Sequence, residues 1–174
     1  YNEFVRSGAA VGLITAGIQN ADWSAIASTE GNGNTARENT ETLGSEGVRI
    51  FLIGGMTKIA DSYDDLWDGT IDNPINLDEN GNEAVALPWT GTFRHGFDGV
   101  NLGSSISPFA TIGNTAETND GRWIAGVPPG ADFKINLHPL YGISSVQTVA
   151  VPEPSTLFGV AIGAIFLVSF RRRR

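Results

Sequence analysis

Residues 157–170 form an apolar run with neither charge nor proline, and Arg171, Arg172, Arg173 and Arg174 follow it directly. A helix over residues 155–170 is about 24 Å long at the usual rise per residue. That falls short of a hydrocarbon core of roughly 30 Å, and snorkelling arginines with local thinning of the bilayer close the gap. Gly159 and Gly163, four apart, share one face of such a helix. Four consecutive arginines are costly to translocate, so they belong on the cytoplasmic side, with residues 1–150 outside. Just upstream, Val151-Pro152-Glu153-Pro154 carries two prolines, which fix φ and lack N–H donors. This strip is therefore extended and accessible rather than paired in a sheet. Taken alone, the apolar run fits a plain membrane anchor or a core helix with a basic end equally well.

Together and in this order, the three parts resemble the PEP-CTERM sorting signal: a Val-Pro-Glu-Pro motif, a short transmembrane helix and a basic tail. The resemblance implies a bacterial protein that is exported, held in the inner membrane by its C-terminal helix, and cleaved by an exosortase. It casts Pro152, Glu153 and Pro154 as the recognition element, residues 155–170 as the membrane helix and Arg171 to Arg174 as the topology signal. Residues 145–150 are then a linker and residues 1–144 the exported domain. The chain opens on Tyr1 without a basic-then-apolar leader, so an export signal is expected upstream.

Composition narrows what the domain can do. There is no cysteine, so neither disulfides nor thiolate chemistry contribute, and an oxidising compartment remains open. Four of the 11 basic residues sit in the terminal cluster, which leaves 7 against 19 acidic residues, a net −12. So acidic a domain does not bind nucleic acid or an anionic polysaccharide through a broad basic patch. With 22 glycines, four tryptophans and many Asn and Asp residues, the pattern is a loop-rich α+β domain with short antiparallel strands.

The spacing predicts a helix over 2–14, with Phe4, Val5, Ala9 and Leu13 on one face and Gly17 as its stop. Residues 23–27 alternate as a short strand. Residues 30–47 are a polar surface loop with a helical turn near 35–39. The strongest strand is 48–53, ended by Gly54-Gly55, with 58–60 as its return. Asp61 is the expected N-cap of a helix through 68 that points Leu66 and Trp67 inward and closes at Gly69. Residues 70–83 are turns, 87–92 a buried strand or turn around Trp89, and 119–121 a turn before Arg122-Trp123-Ile124. Strands at 133–137 and 140–144 complete the domain.

Several of these segments, in order, resemble the endostatin-like branch of the C-type-lectin-like fold. They are Trp23-Ser24-Ala25-Ile26-Ala27, the helix ending Leu66-Trp67-Asp68-Gly69, the turn Asn73-Pro74-Ile75, and Trp89-Thr90-Gly91-Thr92. The resemblance spans about residues 3–144. It implies a tie between the first helix and the last strand, where the family has a disulfide. The matching positions here are Phe4 and Gly142, so packing of Phe4 on Gly142 is the expected substitute for the bridge.

For binding and catalysis the sequence offers few candidates. Asp78, Asn80 and Asn82 place oxygens at alternate positions, as the first half of a calcium loop does. Counted from Asp78, however, Glu83 stands where an EF-hand needs glycine and Trp89 where it needs an acid. The EF-hand reading therefore fails and an Asx-rich turn is the favoured one, while calcium held by Asp61, Asp64, Asp72, Asp78 and Glu79 in some other combination stays open. His95 and His138 are the only histidines and lack ligand spacing. No nucleophile elbow is present, and the paired carboxylates are adjacent in sequence. Trp67 and Trp89 belong to the core, which leaves Arg122 and Trp123 as the candidate ligand contact. The calcium-dependent sugar motifs of the lectin superfamily are absent. The reading is an exported surface or matrix protein without catalytic activity, acting in adhesion or matrix organisation. Alternatives are a tethered binding module for neutral glycans or a protein partner, and a hydrolase. Its partners would be the exosortase, the inner membrane and an extracellular polysaccharide or surface protein.

Overall fold

The computed structural model describes residues 1–18, 20–31, 34–43, 47–126 and 130–147. The sorting elements expected at 151–174 and the last part of the linker lie outside these residues.

Helix α1, Asn2–Val11, is shorter than the periodicity predicts. Gly12 takes extended backbone because the chain there runs against Glu79: a Cβ on Gly12 would sit 2.5 Å from the Glu79 carbonyl oxygen. The inward face keeps Val5 and Ala9 but not Phe4 and Leu13. Ala9 and Gly12 are buried and Asn2 and Val5 half-buried, whereas Phe4 and Leu13 are 69% and 84% exposed. Strand β1, Trp23–Ala25, pairs antiparallel with the last strand, Gly142–Ser144, placing Trp23 opposite Ser144 and Ala25 opposite Gly142. Asn2 joins this ribbon to the next helix. Its side chain accepts from Ala25 N–H (2.9 Å) and exchanges amide hydrogen bonds with Asn39 (2.9 and 3.0 Å).

That next helix, α2 (Ala36–Asn39), starts in a capping box: the Thr35 hydroxyl accepts from Glu38 N–H, and the Glu38 carboxylate accepts from Thr35 N–H. Strands β2 (Ile50–Phe51) and β3 (Lys58–Ala60) make an irregular hairpin. Only two residues of the predicted strand pair, because β2 is an edge with one partner, Phe51 is exposed, and Gly54-Gly55 turn at positive φ. Helix α3, Tyr63–Leu66, is capped by Ser62, whose hydroxyl accepts from Asp65 N–H at 3.1 Å. Asp61, the expected cap, instead binds Lys58 (2.6 Å) and Arg49 (3.5 Å). Leu66 and Trp67 do point inward.

Strand β4, Phe109–Thr111, pairs with β5, Ala131–Phe133. The predicted strand at 133–137 lies instead at 131–133, since a turn closed by Asn136 N–H to Phe133 C=O ends it. Between them, α4 (Arg122–Ala125) begins at Gly121 in the left-handed region. With Gly142–Ser144 as β6, the described residues form three separate two-stranded ribbons and four short helices, an α+β arrangement.

Two clusters make the core. One gathers Ile26, Ile59, Leu66, Trp67, Trp123, Ile124 and Tyr141, with Trp123 between Trp67 and Tyr141 at ring distances of 5.7 and 6.0 Å. The other packs Trp89, Leu102, Ala110 and Ile112 with Ala25 and Ala27. So little regular sheet leaves many buried backbone groups without a ladder partner, and buried hydroxyls supply the bonds. The Thr90 hydroxyl donates to Ile124 C=O at 2.6 Å and that of Thr92 to Thr90 C=O at 2.7 Å. Ser28 Oγ accepts from Ala36 N–H, and Thr111 Oγ1 from Val100 N–H, each at 2.9 Å. Gly91 is required where these strands converge: its φ is +60°, and a Cβ there would lie 2.7 Å from Leu102 N.

Candidate functional site

A concavity of about 360 Å³ lies between α1, the 75–79 segment and the stretch leading into β6. Val5 and Gly8 of α1 form one wall, Leu77 and Ala84 another, and Leu140 and Tyr141 the third. Each wall has a local cause. The helical repeat that buries Ala9 sets Val5 and Gly8 beside the opening. The 77–83 turn is pinned by Asp78, which accepts from Asn80 N–H and Asn82 N–H (2.9 Å each) and from the Asn82 amide (3.1 Å). Tyr141 is locked by its hydroxyl, which donates to Trp123 C=O at 2.9 Å, and burial raises its pKa far above the ordinary phenol value. It is a structural donor, not an acid. Sequence reasoning did not single out this cleft, because its residues come from three distant segments. The available signal is the α1 face, where Val5 and Ala9 point inward as expected and Phe4 and Leu13 do not.

The candidate calcium triplet is a self-contained Asx turn. Bonds from Asn82, and secondarily Asn80, hold the Asp78 carboxyl below its usual range. Asn80 Oδ1 accepts from Leu13 N–H at 3.0 Å, so these oxygens serve the turn and the end of α1. Asp61 is held low by Lys58, and Lys58 is raised by Asp61 and Asp72, in a small surface ion cluster. Among the described residues no group of three or more His or acidic side chains converges on a metal-sized space.

Arg122 and Trp123 do not form a joint surface contact. Arg122 is exposed near Asp120, but Trp123 is fully buried, because α4 turns its ring onto Trp67 and into the core. Both histidines have structural partners: His95 Nδ1 lies 2.8 Å from Trp67 C=O, and His138 Nε2 lies 2.8 Å from Asp132 while its ring meets Trp89 edge-on. Asn136, then His138, hold the Asp132 carboxyl low. Phe4 does not fill the space at Gly142. Val5 does: a Cβ on Gly142 would meet Val5 Cγ1 at 2.8 Å, since Val5 and not Phe4 points inward from α1.

Ser145 is tied back to the start of β1. Its N–H donates to Asp22 C=O (2.7 Å) and its hydroxyl accepts from Asp22 N–H (3.0 Å), while Arg6 grips the Asp22 carboxylate at 2.8 and 3.2 Å. Ser145, expected in the linker, thus belongs to the domain. Beyond it run the Pro-Glu-Pro triplet, the uncharged run and the arginines. Residues 150–174 match the PEP-CTERM protein-sorting motif. The PEP-CTERM match supports an exported protein that an exosortase processes and that is membrane-anchored beforehand. No curated protein and no solved structure matches the chain. Among the described residues no helix is long and apolar enough to cross a membrane, and the segment expected to do so lies outside them.

Proposed function

We propose that this chain is an exported bacterial surface or matrix protein whose PEP-CTERM tail is an exosortase substrate and whose domain acts, without catalysis, in adhesion or matrix organisation. The tail match carries the reading. In it, Val151, Pro152, Glu153 and Pro154 present the processing strip, residues 155–170 hold the membrane and Arg171 to Arg174 fix the topology. The bonds of Ser145 to Asp22 agree with it, because they tie the chain to the domain several residues ahead of the Pro-Glu-Pro strip in sequence. A non-catalytic role is favoured by the engagement of His95 and His138 in structural contacts. The order of motifs along the chain is what favours an endostatin-like fold for the domain.

Replacing Pro152, Glu153 and Pro154 together by alanine should block processing and leave a larger, membrane-bound form in cell fractions. Unchanged maturation, read from the C-terminal mass of the native protein, would reject the proposal. One observation favours a tethered binding module instead. Phe109 and Phe133 are exposed with ring centroids 4.4 Å apart, and Ile135 and Leu137, two and four residues after Phe133 in the chain, are exposed as well. Specific retention on an array of neutral glycans, lost in Phe133→Ala, would decide for that alternative.

A further inference from the structure

The cleft between α1 and β6 is apolar, and it opens beside the point where the chain leaves the domain. We propose that, before insertion, the apolar run of this same chain, residues 157–170, docks one face in that cleft, so that the domain shields its own membrane segment in water. Three observations carry it. Reach is sufficient: Tyr141 and Gly142 line the cleft, and the nine residues 148–156 that separate Gln147 from the run span at most about 30 Å. Shape and chemistry agree. Val5, Leu77 and Leu140 offer a concave apolar wall for a few large side chains, and Phe158, Ile162 and Ile165 recur at the i, i+4, i+7 spacing of one helical face. Charge agrees as well: Asp78 and Glu79 edge the cleft of a domain whose residues 1–144 carry 7 basic and 18 acidic side chains, a net −11, and the run ends in four arginines. The inference concerns the chain before processing and holds whichever enzyme, if any, cleaves the tail.

The absence of cysteine gives a clean test. Ala161→Cys in the full chain accepts a single nitroxide label, and amide NMR intensities are recorded at high dilution without detergent. Loss of the Val5, Gly8, Leu77 and Leu140 signals, with Lys58 and Arg94 unaffected, is the expected result. Recovery of those signals on adding lipid nanodiscs should follow as the run moves to the bilayer. Phe4→Glu, an exposed change at the cleft edge, should restore them without lipid while the remaining spectrum stays dispersed. Uniform broadening, broadening centred on Ile106, Ile135 and Leu137, or the same losses in an unlabelled chain mixed with a labelled one would overturn the proposal. The last of these would assign the cleft to a second copy.

Discussion

Thr90 shows how a single side chain substitutes for a missing sheet. It is fully buried, and its hydroxyl donates to Ile124 C=O while also facing Thr92 N–H at 3.4 Å. Valine has the same shape without the donor, so Thr90→Val leaves a buried carbonyl unpaired at a cost of about 1–3 kcal/mol. Denaturant unfolding should show that loss as a lower midpoint with an unchanged slope, and Thr90→Ser should recover most of it. Nothing in the sequence distinguishes Thr90 from an ordinary strand threonine. Trp123 was hidden for a related reason. Its neighbour Arg122 and the preceding Asn-Asp-Gly turn suggest a surface site, yet one helical turn suffices to put Arg122 outside and Trp123 at the centre of the core.

Among the elements, the 78–82 turn is the Asx-rich turn that its sequence favours over a calcium loop. Alternating oxygens fit both a cation loop and an Asx turn, and the choice depends on where the backbone N–H groups point, which composition does not encode. The turn makes a pH prediction. Asp78 has a folded pKa below its ordinary value near 3.8, so its contribution is present above the unfolded value and lost as pH falls through the folded one. Melting temperature should therefore fall on acidification below about pH 4. Asp78→Asn keeps an oxygen acceptor but cannot titrate, and should flatten part of that fall. Asp61, Asp132 and the capping-box Glu38, also held low, contribute to the rest. An acid limb identical in Asp78→Asn and the parent chain would refute the assignment. The helices show the same mixture of success and error. The turn near 35–39 and the inward Leu66-Trp67 pair were readable from capping and spacing. The cap of α3 slipped by one residue because Asp61 and Ser62 are both good caps and Lys58 takes Asp61.

At the scale of the whole molecule, chain order revealed an α+β domain with short strands, but not which strands would meet. Pairing of β1 with β6 joins residues 117 to 121 apart, from Ala25 with Gly142 to Trp23 with Ser144, and the partner of a three-residue strand cannot be read from three letters. The predicted contact between the first helix and the last strand exists, displaced from Phe4 to Val5. That displacement is testable in a chain with no other cysteine. Val5→Cys with Gly142→Cys should oxidise to an intramolecular disulfide and raise the melting temperature, by about 2–4 kcal/mol of added stability. Phe4→Cys with Gly142→Cys should remain reduced. The reverse pattern in thiol titration would restore the original assignment.

The clasp between Ser145 and Asp22 also decides how the domain responds to traction. Any pull on the C-terminal end enters at those two hydrogen bonds, backed by the Arg6 grip on Asp22 and by three residues of β6. That strand also forms the rim of the cleft and leads from Tyr141 in the core, so a strong enough tug unfastens the groove and the hydrophobic interior together. Severing the tail removes the lever.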